Sequence, residues 1–263
     1  MSERRFRLPP DWLEKPIKLW LAGAGGTGGE MLDGLVRLHL ALRQLGHPHG
    51  LSVTVFDPDV VSAANLGRQR FYADDVGLNK AKVLVQRFNL FCGLDWRAVP
   101  EELEVVHNRY RGSCDLLVTC VDSARTRVDI AERYRDLYLD TLWLDTGNDA
   151  TTGQVVFGHL GRCDDQRLPN VVDLYPGLVG ADEDDAPSCS LAAALSRQDL
   201  TVNRTVATVG LNILWRLLRH AEIDHHGAWI DVATNRVTPM PICPKSWACM
   251  GYAEEAESAE VND

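Results

Sequence analysis

An open α/β sheet, parallel in its first half and mixed in its second, with helices on both faces, is the architecture expected of this chain. Three features point to it. Residues 17–23 (IKLWLAG) form a short apolar run ending in glycine, and Leu32, Leu35, Val36, Leu38, Leu42 and Leu45 follow at helical spacing within 28–45. A polar turn at His47–Gly50 leads into the β-branched run LSVTVFD at 51–57, which completes a β-α-β unit and so makes two strands parallel. Further on, TTGQVVFGHL at 152–160 follows TLWLDTG at 141–147 after too few residues for a helical crossover, so that pair must be antiparallel.

The elements between these landmarks follow in order. A helix is expected at 78–90, a strand near 95–99, a strand at 115–122 (DLLVTCVD) and a helix at 123–138. From 161 to 200 the chain turns irregular, with several prolines and the acidic run Asp182–Asp185, and a long loop of this kind is expected to be functional or mobile. Helical spacing returns at 203–220, and AWIDVAT with RVTPMPI reads as a terminal hairpin. The chain thus divides into an N-terminal arm (1–16), one domain (17–252) interrupted by the irregular segment, and an acidic tail (253–263) expected to be disordered because it has acids, no base and no large apolar side chain.

At 263 residues the chain can bury a core without disulfides or structural metals. A net charge of −10 repels phosphate backbones and anionic lipid, which argues against nucleic-acid and membrane partners. Seven cysteines, an odd number with no C-x-x-C pair, read as reduced thiols in a cytoplasmic protein. No signal-peptide core and no apolar run of membrane-spanning length is found.

The chemistry is carried by residues after the first strand. Gly23, Gly25, Gly26 and Gly28 form a G-x-G-G-x-G loop between a strand and a helix, where glycines let the backbone approach a ligand and the helix start offers amides to phosphate oxygens. Asp57 ends the second strand, 29 residues beyond Gly28, where an acid accepts hydrogen bonds from ribose hydroxyls; the long first helix accounts for the spacing, and a plain turn-forming Asp-Pro is the alternative. A nicotinamide or flavin enzyme would need no cations beyond this point. Yet Asn65, Arg68, Gln69 and Lys80 gather in 57–82, which suits a triphosphate whose oxygens gain charge during transfer. An ordinary surface ion pair for Arg68 and a solvated helix position for Lys80 are the competing readings, with Lys82, two positions on, as the control facing another way.

These motifs, G-x-G-G-x-G, then D-x-D-x-V-x-x-x-N-x-x-R-Q, D-V-G-x-x-K-A and C-x-D-S-x-x-x-R, resemble the ThiF/MoeB/HesA family, relatives of the ubiquitin-activating enzymes. The segment PSCSLAAALSRQDLTVN and the short N-terminus are most similar to the ThiF-type component of the plasmid-associated PRTRC system. The resemblance implies a Rossmann-like adenylating domain over 17–252 that binds ATP and Mg²⁺. Asp57 would hold the ribose, the glycine loop would lie against the nucleotide, and Asn65, Arg68, Gln69 and Lys80 would surround the phosphates. Asp122 would coordinate magnesium, and Asp59 would be the second acid of the family pair. Physical reasoning agrees at Asp122, a carboxylate at the C-terminal end of a parallel strand, though it or Ser123 could equally cap the next helix. The implied activity is adenylation of the C-terminal carboxylate of a small ubiquitin-like protein by a homodimer. The alternative is an ATP-binding scaffold of a plasmid system that lacks turnover.

Family members often carry a cysteine that forms a thioester or persulfide after adenylation, and Cys189 is the candidate, with a structural thiol as the other reading. Zinc-bearing relatives use two C-x-x-C pairs, a spacing missing here, which leaves only a Cys163/Cys243/Cys249 cluster to consider. In homodimeric relatives an arginine from the partner reaches the phosphates. Arg4, Arg5 and Arg7 are possible donors but read as a frayed basic end. His47, His49, His225 and His226 lie in polar, turn-like segments and are expected to face solvent.

Overall fold

The structure, a computed structural model, describes residues 4–103, 114–137, 140–163, 167–179 and 198–252. In chain order the regular elements are β1 (Phe6–Arg7), β2 (Ile17–Ala22), α1 (Gly26–Gln44), β3 (Leu51–Phe56), α2 (Lys80–Cys92), β4 (Arg97–Val99), β5 (Leu116–Thr119) and α3 (Ala124–Tyr134). They continue with β6 (Leu142–Asn148), β7 (Thr152–His159), α4 (Val171–Leu174), α5 (Val202–His220), β8 (Glu222–Ile223), β9 (His225–Asp231), β10 (Arg236–Pro241) and α6 (Pro244–Cys249).

Eight strands form the main sheet in the order β10-β9-β7-β6-β5-β2-β3-β4. From β4 to β6 neighbouring strands are parallel, and β7, β9 and β10 extend the sheet antiparallel, as the short β6–β7 connection requires. The chain leaves β2 outward through β3 and β4, then returns to β5 and β6 on the other side. The strand order therefore reverses at β2, and the crevice at the carboxyl ends of β2 and β5 is the switch point where such sheets bind ligands. Leu116, Leu117, Val118 and Thr119 are all buried, the pattern of a central parallel strand covered on both faces. On one face α5 lies against α1, close enough that a Cβ on Gly34 would sit 1.9 Å from Leu211 Cδ1.

The described part of the basic N-terminus, from Arg4 on, is not a frayed end. Its alternating sequence turns Phe6 inward and the arginines outward, and Phe6–Arg7 pairs antiparallel with β8. Phe6 meets Phe157 and His159 edge-on at 5.9 and 5.6 Å, Arg5 is ion-paired to Glu222, and Trp12 is buried. Three of the four histidines also depart from expectation, while His49 is exposed as expected. His226 is fully buried, its Nδ1 2.8 Å from the Phe157 carbonyl while Nε2 accepts from Trp247 Nε1–H at 2.9 Å. His47 is half-buried, with Nε2 2.7 Å from the Trp12 carbonyl, and His225 Nδ1 lies 2.6 Å from Asp224 Oδ1.

Within the segment expected to be irregular, Asn170 caps α4 by accepting from the amides of Val172 and Asp173, and Leu168, Val171 and Leu174 are buried. The acidic run Asp182–Asp185, Cys189 and the tail at 253–263 lie outside the described residues. Among the described residues no helix is long and apolar enough to cross a membrane.

Candidate functional site

At the end of β2 the backbone enters a conformation that only glycine adopts readily. Gly23 has φ +92°, and a Cβ there would lie 2.5 Å from the Cys120 carbonyl oxygen of the adjacent strand end. Within the first turn of α1, a Cβ on Gly28 would lie 2.0 Å from the Gly23 carbonyl, so the helix can cross the strand end only with glycine here. Gly25 is the N-cap of α1 and supplies no capping side chain, which leaves the first-turn amides to an anion.

Asp57, at the end of β3, is 5% exposed and ties this loop down. Its Oδ2 accepts from the Ala24 amide at 2.5 Å and its Oδ1 from the Asp59 amide at 2.8 Å. Burial pushes its carboxyl above the usual range, opposed by those two amides. The turn-acid role is therefore real, and it does not exhaust the side chain, because a carboxylate accepts about four hydrogen bonds. Beside it, the buried Lys80 donates to Asp59 Oδ2 at 2.7 Å. Lys82 is exposed, as its different helical phase requires. Asn79, which sequence reasoning passed over, fixes the geometry: its Nδ2 donates to the carbonyls of Asp57 (2.8 Å) and Asp59 (3.0 Å), while its Oδ1 caps α2 through the Lys82 amide. The signal was its position as an N-cap before a helical run.

The segment between these acids and α2 folds back over the loop. Asn65 Oδ1 accepts from the Ser62 amide and hydroxyl at 2.8 and 3.1 Å, so this side chain first serves its own turn. Gln69 faces the glycine loop, with Nε2 3.9 Å from where a Cβ on Gly25 would be. Arg68 Nη1 donates to Gln198 Oε1 at 2.7 Å. Arg68 Nε and Gln69 Oε1 are buried without a hydrogen-bond partner among the described residues. Such groups cost free energy unless a ligand satisfies them.

Across the crevice, Asp122 follows β5 with its side chain exposed. Ser123, not Asp122, caps α3, accepting from the Thr126 amide at 3.0 Å. The loop bearing Asp122 is fixed by a buried guanidinium. Arg127 donates through Nε to both oxygens of Asp145 (2.9 and 3.0 Å), through Nη2 to the carbonyls of Val121 (2.7 Å) and Thr146 (3.0 Å), and through Nη1 to that of Ser123 (3.2 Å). Arg127 was the last letter of the C-x-D-S-x-x-x-R motif, and Asp145 a lone acid in an apolar strand. That second anomaly was the available clue to the pairing. The Cys120 thiol of the same motif is pushed up to about 12 by burial and is not a nucleophile at neutral pH.

The structure thus brings the glycine loop, Asp57, Asp59, Gln69 and Lys80 together at the carboxyl edge of β2 and β3, with Arg68 tied to the residues entering α5 and Asp122 on the loop after β5. A triphosphate fits the donors gathered here: an uncapped helix start, two cations and the buried Arg68 Nε–H, which has no partner among the described residues, while Gln69 Oε1 is an acceptor suited to a donor such as a ribose hydroxyl. A single carboxylate suits magnesium, which keeps waters and takes its remaining ligands from phosphates. Among the described residues no three His, Cys, Asp or Glu side chains gather to hold a metal, and Cys163, Cys243 and Cys249 are not brought together. An apolar surface depression of about 440 Å³, lined by Leu174, Tyr175, Pro176, Gly177, Leu178 and Met250, shares no residue with the crevice.

Comparison with known proteins adds the context. Ubiquitin-activating enzyme E1 2 of Triticum aestivum is 26% identical over 182 residues, covering 66% of this chain and 16% of that protein. Ubiquitin-like modifier-activating enzyme 5 of Culex quinquefasciatus is 26% identical over 153 residues, covering 52% of this chain and 36% of its own length. The chain therefore spans only about a sixth to a third of these curated relatives. Among solved structures, E. coli MccB with ATP superimposes with a TM-score of 0.57 at 16% identity, covering 88% of this chain and 65% of that one. PaaA does so with a TM-score of 0.58 at 14% identity, with the same coverage of this chain. These likenesses place the Rossmann-like fold, and the ThiF family model matches residues 14–246, nearly the whole described domain: the chain belongs to the ThiF family.

Proposed function

We propose that this protein is an ATP-dependent adenylyltransferase that activates the C-terminal carboxylate of a small ubiquitin-like protein. The observation that supports it most is the buried Arg68 Nε–H, without a partner among the described residues, in the segment folded over an uncapped helix start. The E1-type names of the curated relatives support the reaction class, and those names are the ground for a ubiquitin-like substrate. PRTRC membership, a homodimer, a cytoplasmic setting and onward transfer to Cys189 belong to the same proposal.

In this reading the glycine loop and α1 amides receive the phosphates, and Asp57 uses its remaining acceptor capacity on the ribose. Asn65 and Gln69 supply amide donors. The partner's carboxylate attacks the α-phosphorus, the bond to the bridging oxygen breaks, pyrophosphate leaves and an acyl adenylate remains. Arg68 and Lys80 disperse the charge gathering on the phosphoryl oxygens, and Lys80 exchanges Asp59 for phosphate when ATP enters. Magnesium held by Asp122 would neutralise further phosphate charge. Catalysis is then largely positioning.

The test is exchange of labelled pyrophosphate into ATP in the presence of a candidate partner ending in glycine. Wild-type protein should exchange, and Asp122→Ala should lose at least about a hundredfold of that rate. Undiminished exchange in the variant removes the magnesium role, and ATP binding without exchange by the wild type assigns the scaffold reading instead.

A further inference from the structure

We propose that Gln198 and Asn203 are positioning residues that hold Arg68 in place for the nucleotide, so that the entry to α5 and the phosphate site behave as one unit. The proposal rests on the ATP reading above and adds to it two residues and a coupling. Gln198 Oε1 accepts from Arg68 Nη1 at 2.7 Å and from Asn203 Nδ2 at 3.0 Å, so one oxygen joins two elements distant in sequence. Asn203 Oδ1 in turn accepts from Asn148 Nδ2 at 3.3 Å and lies 2.9 Å from the hydroxyl of Thr27, in the first turn of α1. The Asn203 amide also presses on the glycine loop: a Cβ on Gly26 would sit 2.7 Å from its Nδ2.

Thr27 and Asn203 are almost wholly buried, and hydrogen bonds in such a dry setting are stronger than exposed ones. The backbone that carries Gln198 is fixed separately, since the Asp199 amide donates to the Ala150 carbonyl at 2.8 Å and Asp199 Oδ1 accepts from the Thr201 amide (2.9 Å) and hydroxyl (2.8 Å). A rigid acceptor therefore grips one nitrogen of a long cationic side chain whose Nε has no partner among the described residues. That is how an arginine is preorganised: one anchor sets the plane of the guanidinium and leaves the rest for the ligand, sparing rotamer entropy on binding.

The experiment is a double-mutant cycle read by calorimetric titration with MgATP, using wild type, Gln198→Ala, Arg68→Ala and the double variant. Gln198→Ala should weaken ATP binding about fivefold and Arg68→Ala about thirtyfold, with the double variant matching Arg68→Ala within about twofold. A purely structural role would instead lower affinity by the same factor in both backgrounds, and that result, or an unchanged affinity in Gln198→Ala, overturns the proposal. Asn203→Ala gives a second arm, expected to lose about threefold in the wild-type background and clearly less once Arg68 is gone, the remainder passing through Thr27 and the glycine loop; an equal loss in both backgrounds overturns its role in holding Arg68. A wild-type chain that binds no MgATP overturns this proposal together with the adenylation reading. Binding without pyrophosphate exchange removes only the latter.

Discussion

The antiparallel half of the sheet and the crevice at the carboxyl edge of the parallel half treat buried polar groups in opposite ways. In the antiparallel half, His226 has partners on both ring nitrogens, His159 Nδ1 accepts from the Leu168 amide at 3.0 Å, and Asn170 closes a reciprocal cap with Asp173. At the carboxyl edge of the parallel half, Arg68 and Gln69 each bury an atom with no partner among the described residues, and the start of α1 goes uncapped. The exception is Arg216 Nε on α5, also without a partner among the described residues. One half is finished as a folded object. The other leaves buried polar atoms unmatched among the described residues, the pattern expected where a ligand binds.

The largest effect separating the halves should come from the Arg127–Asp145 pair, which is buried yet fully bonded and lies next to the crevice. Arg127→Met strands a buried carboxylate and should cost about 3–5 kcal/mol in urea unfolding, whereas Arg127→Met with Asp145→Leu should recover most of that loss. A single variant within about 1 kcal/mol of wild type would mean that the pair does not hold the Asp122 loop.

Next comes acid sensitivity, which should belong to the antiparallel half. Burial holds His159 and His226 neutral, both lowered to about 4, so below pH 6.5 the unfolded chain binds protons that the folded chain refuses. Stability should be complete above pH 6.5 and fall as the pH drops toward 4, by on the order of 3 kcal/mol per histidine. Thermal melts of wild type and His226→Gln from pH 7.5 to 4 check this: the variant starts less stable and shows the flatter slope.

The smallest contrast is also the sharpest. Lys80→Ala should lower pyrophosphate exchange about a hundredfold, and Lys82→Ala, two residues away on the exposed side of α2, less than twofold. Equal losses would erase the distinction between a buried, poised cation and a solvated one.

What could be read from the sequence follows the same division. Local patterns sufficed for the glycine loop, for the β-α-β unit and for the antiparallel turn at β6–β7, because each depends on a few adjacent residues. The acids and cations of 57–80 emerged because their order is a motif. Missed were features whose partners lie far along the chain: the β1–β8 pairing, Arg127 on Asp145, and His226 between Phe157 and Trp247. His226 shows why: a polar neighbourhood in sequence suggested solvent, but alternation along β9 turned it inward. Gln198 and Asn203 were in view within SRQDLTVN, and nothing local revealed that their amides meet Arg68 and α1.

The short strand Phe6–Arg7 gives the molecule a mechanical property. It clamps the residues just beyond the C-terminal end of α5, while the opposite end of that helix is bonded to Gln198 and Thr27. Nineteen residues of α-helix make a stiff rod of roughly 28 Å, fastened at one end by the amino terminus and at the other beside the phosphate crevice. Trimming the first eight residues would therefore slacken a strut whose far end bears on Arg68, so that damage at one pole of the molecule is felt as weakened grip at the other.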